Sequence, residues 1–132
     1  MARSNGSRGG PVAAAKDAYL AAFRWRRAVE KELAPLGLTL TQWLVLTATE
    51  ELLAESGDAV NQNAIAARTE LDRMTISQVM KTLSARAWVE RAPDASGRAY
   101  RIGLTRRGEK TVRLAATRVL AATRQFHAAE RR

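Results

Sequence analysis

The stretch that decides the fold is NQNAIAARTELDRMTISQVMKTL, residues 61–83. Asn61 is a good helix N-cap, and Ala64, Ile65 and Ala67 follow as the inward positions of a short helix. Thr69 to Leu71 break that helix. Asp72 then caps a second one, in which Ile76, Val79 and Leu83 form the apolar stripe. The outward set of this second helix is Arg73, Thr75, Ser77, Gln78, Lys81 and Thr82. It contains no acidic residue after Asp72, whereas an ordinary solvated helix intersperses both signs. Two short helices joined by a few residues, the second exposing small polar and amide side chains, form a helix-turn-helix pattern. A plain helical hairpin with a polar outer face remains the bland reading, and the composition of the outward set favours the first.

Downstream, the period of the apolar residues changes from 3.6 to 2. Trp88-Val89-Glu90-Arg91 reads as a short strand, and Pro93-Asp94-Ala95-Ser96-Gly97 as turn chemistry. From Arg98 to Leu104 the chain alternates, with Tyr100, Ile102 and Leu104 on one apolar face. Two strands make a β-hairpin with Arg98 near its tip. A hairpin directly after a helix-turn-helix is a wing, and a wing arginine is suited to a narrow minor groove. A mobile surface charge is the alternative, and the neighbouring elements favour insertion.

Upstream, Thr39 and Gln42 form a capping box. The helix that follows presents Trp43, Leu44, Leu46 and Leu52 as a broad buried face, ending at the Ser56-Gly57-Asp58 turn. Residues 12–34 read as a helix with a seam at Ala15, Ala18, Ala22, Trp25, Val29 and Leu33, widened by Tyr19 and Phe23. Pro35 and Gly37 stop it. Thr105 caps a last helix, residues 106–129, in which Val112, Val119 and Phe126 repeat at seven with Ala115 or Ala116 and Ala122 between them. The two seams lie at opposite ends of the sequence. They are expected to meet each other and the same helices of a second subunit. Residues 1–11, with Ser4, Asn5, Gly6, Ser7, Gly9, Gly10 and Pro11, read as a disordered basic arm.

The fold class is therefore mainly α with a small β-hairpin wing (α+β). Residues 12–132 form one domain, with dimerisation helices at 12–36 and 106–132 around a winged helix-turn-helix at 39–105. The 132 residues, 46% hydrophobic and 27% charged, fit a single globular domain. The longest apolar run, Ala18 to Phe23, is far short of the roughly 20 residues a membrane span requires. With no secretory leader pattern, a cytoplasmic location is expected. The chain has no cysteine, which excludes disulfides and thiolate metal sites, and one histidine, His127, so a multi-histidine metal site or a Ser-His-Asp triad is hard to build within one chain. No Gly-rich phosphate loop or metal-ligand spacing occurs, and Asp94 and Glu109 are isolated carboxylates that read as structural. Neither an enzyme nor a cofactor is expected.

Net charge is +9, with 22 basic residues against 13 acidic, and 18 of the basic ones are arginine. Arginine's rigid donor fork suits phosphates and guanine edges. The charge is uneven: residues 33–60 carry −4 and residues 61–113 carry +6. A basic block beside an acidic one suggests a surface directed at a polyanion. It argues against a winged helix used purely for protein contacts.

Taken together, these segments resemble the MarR (multiple antibiotic resistance regulator) family of winged-helix transcription factors over about residues 12–127. Leu38-Thr39-Leu40-Thr41-Gln42-Trp43-Leu44-Val45-Leu46 is similar to the family's opening of its second helix. Asn63-Ala64-Ile65-Ala66 is similar to the start of its helix-turn-helix. Leu71-Asp72-Arg73-Met74-Thr75-Ile76-Ser77-Gln78-Val79 resembles its recognition helix, commonly Leu-Asp-Arg-Ser-Thr-Val-Ser. Trp88-Val89-Glu90-Arg91 resembles the first wing strand, and Leu104-Thr105 with Gly108 the strand-to-helix junction. Each motif alone is weak, but their order and spacing together are specific.

The resemblance implies a triangular homodimer on a pseudo-palindromic operator, in many members released by a small aromatic or phenolic anion. Three departures stand out. Ser96 occupies the place of an Asp that pairs with the wing Arg, so Arg98 is expected to be less preorganised. Ala87 replaces a Gly, at a cost of about 1 kcal/mol if the backbone there is left-handed. The last helix is followed by little chain, so the dimer contact is expected to lean on residues 12–34.

By position, Gln78 and Ser77 face base edges, and Thr75 serves a base or a phosphate. Arg73, Lys81, Asn61 and Gln62 suit phosphates, and Arg98 reads groove width. Tyr19, Phe23 and Trp43 are candidate ligand contacts, with Arg24, Arg26 or Arg27 to receive an anion. The plainer reading makes those aromatics core and those arginines solvated. The expected function is a sequence-specific double-stranded DNA-binding regulator, a repressor rather than an activator. An effector-independent architectural DNA binder is the alternative.

Overall fold

The computed structural model describes residues 9–131. The basic arm lies outside the described residues up to position 8. It ends earlier than expected, because Pro11 already opens helix α1 (Pro11–Leu33), where its fixed φ and missing N–H suit the first helical position. A short 3-10 turn (Ala34–Leu36) ends at Gly37, whose φ of 75° closes the turn. The remaining elements are α2 (Leu40–Ser56), β1 (Val60–Asn61), α3 (Gln62–Thr69), α4 (Arg73–Ala85), β2 (Val89–Pro93), β3 (Tyr100–Leu104) and α5 (Arg106–Glu130). Among the described residues, no helix is long and apolar enough to cross a membrane.

Four helix starts follow the local chemistry of their caps. In α2 the Thr39 hydroxyl accepts from the Gln42 N–H at 3.1 Å, and the Gln42 side chain accepts from the Thr39 N–H at 3.0 Å. Asn61, Asp72 and Thr105 likewise accept from backbone N–H groups of α3, α4 and α5, at 2.8, 2.7 and 2.9 Å.

Two expectations about packing need correction. The deepest residues of α2 are Val45, Leu46, Ala48 and Thr49, while Trp43, Leu44 and Leu52 are only half-buried. The reason is position. Helix α2 touches α1, α3, α4, α5 and two strands, so it is apolar on several sides and has no single buried stripe. The Thr49 hydroxyl is satisfied there by donating to the Val45 carbonyl at 2.7 Å. In α4 the buried stripe is Ile76, Met80 and Leu83, and Val79 packs at its margin.

The wing contains three strands rather than two, in the order β1-β3-β2, all antiparallel. Val60 pairs with Ile102 and Asn61 with Arg101. The third strand ties the start of α3 to the wing. Two residues are too few to display a period in sequence. Tyr100, expected on the apolar face, is 44% exposed, whereas Ile102 is fully buried.

Helices α1 and α5 pack antiparallel, as the two seams implied. Trp25 Nε1 donates to Thr123 Oγ1 at 3.0 Å, and Arg24 pairs with Glu130 at 3.0 Å. Val112, Ala115, Val119 and Ala122 are buried, as are Val29 and Leu33 on the facing helix. The N-terminal half of the α1 seam is not covered within the chain: Ala15, Ala18 and Ala22 are all exposed.

Among the described residues, two that are not glycine have positive φ, Glu70 at 61° and Ala87 at 59°. Glu70 closes α3 in the turn of the helix-turn-helix, and Ala87 leads into Trp88. Replacing Ala87 by Gly removes the Cβ strain, so urea unfolding should show about 1 kcal/mol of added stability. A destabilised Ala87→Gly protein would contradict this account of the position.

Candidate nucleic-acid interface

Helix α4 rests on Ile76, Met80 and Leu83 and turns Arg73, Met74, Gln78 and Lys81 to solvent, with Thr75 and Ser77 half-buried. Met74, Ser77, Gln78 and Lys81 follow the i, i+3, i+4, i+7 spacing and share one face. The Asp72 cap fixes where that face begins. One carboxylate oxygen accepts from the Thr75 N–H and the other from the Thr75 hydroxyl at 3.1 Å. The first of these bonds does most to hold the Asp72 carboxyl below the usual aspartate range. The Thr75 hydroxyl proton is therefore engaged, leaving its oxygen as an acceptor.

The wing comes back against these helices. A cleft of about 320 Å³ is lined by Asn61, Gln62, Asn63, Arg73, Arg98, Ala99 and Tyr100. The structure thus brings together Arg73, Arg98, Asn61 and Gln62, and leaves Ser77, Gln78 and Lys81 along the outward face of α4. The Asn61 carboxamide oxygen is occupied by its cap. The Gln62 Oε1 is buried and finds no partner among the described residues. Asn63 and Tyr100 were not anticipated. The Arg91 guanidinium sits over the Tyr100 ring at 4.6 Å, which holds the ring at the edge of the wing.

Ser96, in the place of an Asp that pairs with the wing Arg, holds the backbone of the wing and not the Arg98 guanidinium. Asp94 Oδ1 accepts from the Ser96 N–H at 2.9 Å and from its hydroxyl at 2.5 Å, and the Ser96 oxygen accepts from the Arg98 N–H at 3.2 Å. Asp94 is structural, as read from sequence, and the Ser96 hydroxyl is the main cause of its lowered pKa. The backbone beneath Arg98 is held, while its exposed guanidinium has no ion pair with a described residue.

The same is true of Arg73 and Lys81. Other arginines nearby are engaged. Arg68 makes a fork to Glu55 at 2.8 and 2.9 Å and reaches Glu51 at 3.3 Å. Arg101 pairs with Asp58 at 2.6 Å.

The candidate ligand residues are more scattered. Tyr19 and Phe23 are 70% and 46% exposed on α1, and Trp43 is half-buried on α2 with its indole N–H unpartnered among the described residues. Arg27 lies over the Phe23 ring at 5.4 Å, and Arg26 pairs with Glu30. A groove of about 390 Å³ between α1 and α5 is lined by other residues, Ala21, Ala22, Trp25, Thr123, Phe126 and His127.

Comparison with known proteins agrees with this architecture. Residues 36–99 match the model of the MarR family. A MarR-family transcriptional regulator from Rhodococcus sp. RHA1 superposes with a TM-score of 0.71 at 30% identity, covering 80% of this chain and 71% of that one. The chain belongs to the MarR family. CouR from Rhodococcus jostii RHA1, solved bound to p-coumaroyl-CoA, is 32% identical with a TM-score of 0.65, over 76% of this chain and 68% of CouR. The uncharacterized HTH-type transcriptional regulator YdcH of Bacillus subtilis (strain 168) is 34% identical over 68 residues, 52% of this chain and 46% of YdcH. The match thus spans just under half the length of that relative. MarR-family proteins are transcriptional regulators and not enzymes.

Four hydrogen-bonded carboxylates make the fold acid-sensitive in a definite direction. Asp72, Asp94, Asp58 and Glu55 all have pKa values lowered in the folded chain. The unfolded chain therefore binds more protons in acid. The stabilisation is complete above the ordinary carboxylate range near pH 4 and is lost as pH falls through the lowered values. Melting temperature should drop between pH 5 and pH 3. Asp72→Asn, which keeps a capping oxygen but no titrating carboxyl, should drop less, and equal slopes would exclude Asp72 from the effect.

Proposed function

We propose that the chain acts as a homodimeric, sequence-specific regulator of transcription, most simply a repressor in the cytoplasm, on a pseudo-palindromic duplex. The observation that carries this reading is the cleft in which Arg98 of the wing meets Arg73 and the amides of α3. With Lys81, these arginines offer positive charge unpaired among the described residues, on the side of the molecule where α4 exposes Gln78 beside the half-buried Ser77. Gln78 is suited to a bidentate pair with adenine, Ser77 to a base edge, and Thr75 to a donor through its remaining oxygen. Arg73, Lys81, Asn61 and Gln62 set register on phosphates, and Arg98 enters the minor groove.

Dimerisation is supported by the uncovered apolar surface on the terminal helices. Val12, Tyr19, Leu20 and Phe23 on α1 and Leu114 and Leu120 on α5 are all 41% or more exposed. A second copy supplies matching faces and places two α4 helices about 34 Å apart, one turn of duplex. An aromatic anion against Tyr19, Phe23 and Trp43 is the proposed effector, a reading supported by the p-coumaroyl-CoA bound to CouR. Such a ligand releases DNA only by binding one arrangement of the two heads better than the other.

Selection from a random duplex pool tests the reading, because a palindromic consensus supports a regulator and its absence an architectural binder. On the selected duplex, affinity should fall about 10³-fold or more between 50 and 200 mM salt if about six phosphates are engaged. Gln78→Ala should weaken the selected duplex roughly tenfold or more and leave a random duplex nearly unchanged. A flat salt response, or equal losses on both duplexes, would contradict the assignment.

A further inference from the structure

Met74 is the one large apolar side chain on the outward face of α4, and it is 72% exposed. It takes no part in the core beneath, which Ile76, Met80 and Leu83 supply. It is also separate from the apolar surface of the terminal helices, which lies on α1 and α5. Its neighbours on the exposed face are Arg73 before it and Ser77 and Gln78 one turn later. The recognition-helix pattern that residues 71–79 resemble commonly has a serine here, so the chemistry of this position is changed from polar to apolar.

We propose that Met74 reads the C5-methyl group of a thymine beside the base pair contacted by Gln78, making it a specificity-determining residue. This deepens the proposed function and rests on α4 entering the major groove. In that groove the thymine methyl is the apolar feature by which bases are distinguished. The N-terminal residues of a recognition helix are the ones that reach base edges, and Met74 is among them. An unbranched, polarizable thioether adapts to a methyl group without fixed geometry. The side chain gains by leaving water, and the methyl gains with it.

The test uses the duplex recovered by pool selection, with each thymine of the half-site replaced in turn by uracil, which differs only in lacking the methyl. Substitutions are made symmetrically in both half-sites. Uracil at one position next to the Gln78 pair should weaken binding about fourfold per half-site. Met74→Ser should abolish that penalty, and Met74→Leu should retain most of it. Because Met74 is exposed, both variants should melt like the parent. A parent with no uracil penalty, or a penalty unchanged in Met74→Ser, overturns the proposal while leaving the DNA-binding reading intact. A parent that selects no consensus overturns that reading and Met74's role with it.

Discussion

The rest of the architecture depends on a close approach at the end of the wing. Gly108, in the first turn of α5, is buried so near the Trp88 carbonyl that a Cβ there would lie 1.9 Å from the carbonyl oxygen. No side chain fits, and the contact fixes how α5 leaves the sheet. Thr105 closes the same junction. Its N–H donates to the Trp88 carbonyl at 3.2 Å and its hydroxyl to the Ala87 carbonyl at 2.6 Å, while the hydroxyl oxygen accepts from the Gly108 N–H. The left-handed Ala87 turns the chain from α4 into this contact. Strand β3, entering the junction, pairs with β1 before α3 and with β2 after α4. The helix-turn-helix and the wing therefore form one head, hung on α5. The positions of Arg98 and Gln78 relative to each other are consequences of that junction.

Charge completes the head. The acidic block of residues 33–60 is not merely a face of opposite sign. Glu51 and Glu55 hold Arg68, and Asp58 holds Arg101, so part of the basic block is neutralised where it braces α3 and β3. These exposed pairs contribute little to stability singly. They leave Arg73, Lys81 and Arg98 outside any ion pair with a described residue, as they do Arg106, Arg107, Lys110 and Arg113.

Much of this was legible in the sequence because it is local. The caps at Thr39, Asn61, Asp72 and Thr105 each act within three residues, and all four have the geometry their residue types imply. The seam of α5 and the C-terminal end of the α1 seam were legible because seven-residue spacing survives any detail of loop geometry, whereas Ala15, Ala18 and Ala22 are exposed. What escaped depends on neighbours distant in the chain. The buried face of α2 is set by elements on several sides, β1 is two residues long, and the positive φ at Glu70 has no marker in a residue type that rarely adopts it. Within the candidate interface, Arg98 and Arg73 were legible singly, but their shared cleft with Asn63 and Tyr100 required the three-stranded wing. Met74 was not singled out in the sequence, and its exposure becomes meaningful once the core is seen to be complete without it.

The central claim is that two such heads, each a fixed unit of α4 and wing, grip one duplex together. Hydroxyl-radical footprinting of a selected duplex tests this most directly. It should show two-fold symmetric protection, with minor-groove sugars shielded at two wing positions that flank the pair of major-groove contacts. Protection confined to one half, or a symmetric footprint unchanged when Arg98 is replaced by Ala, would contradict it.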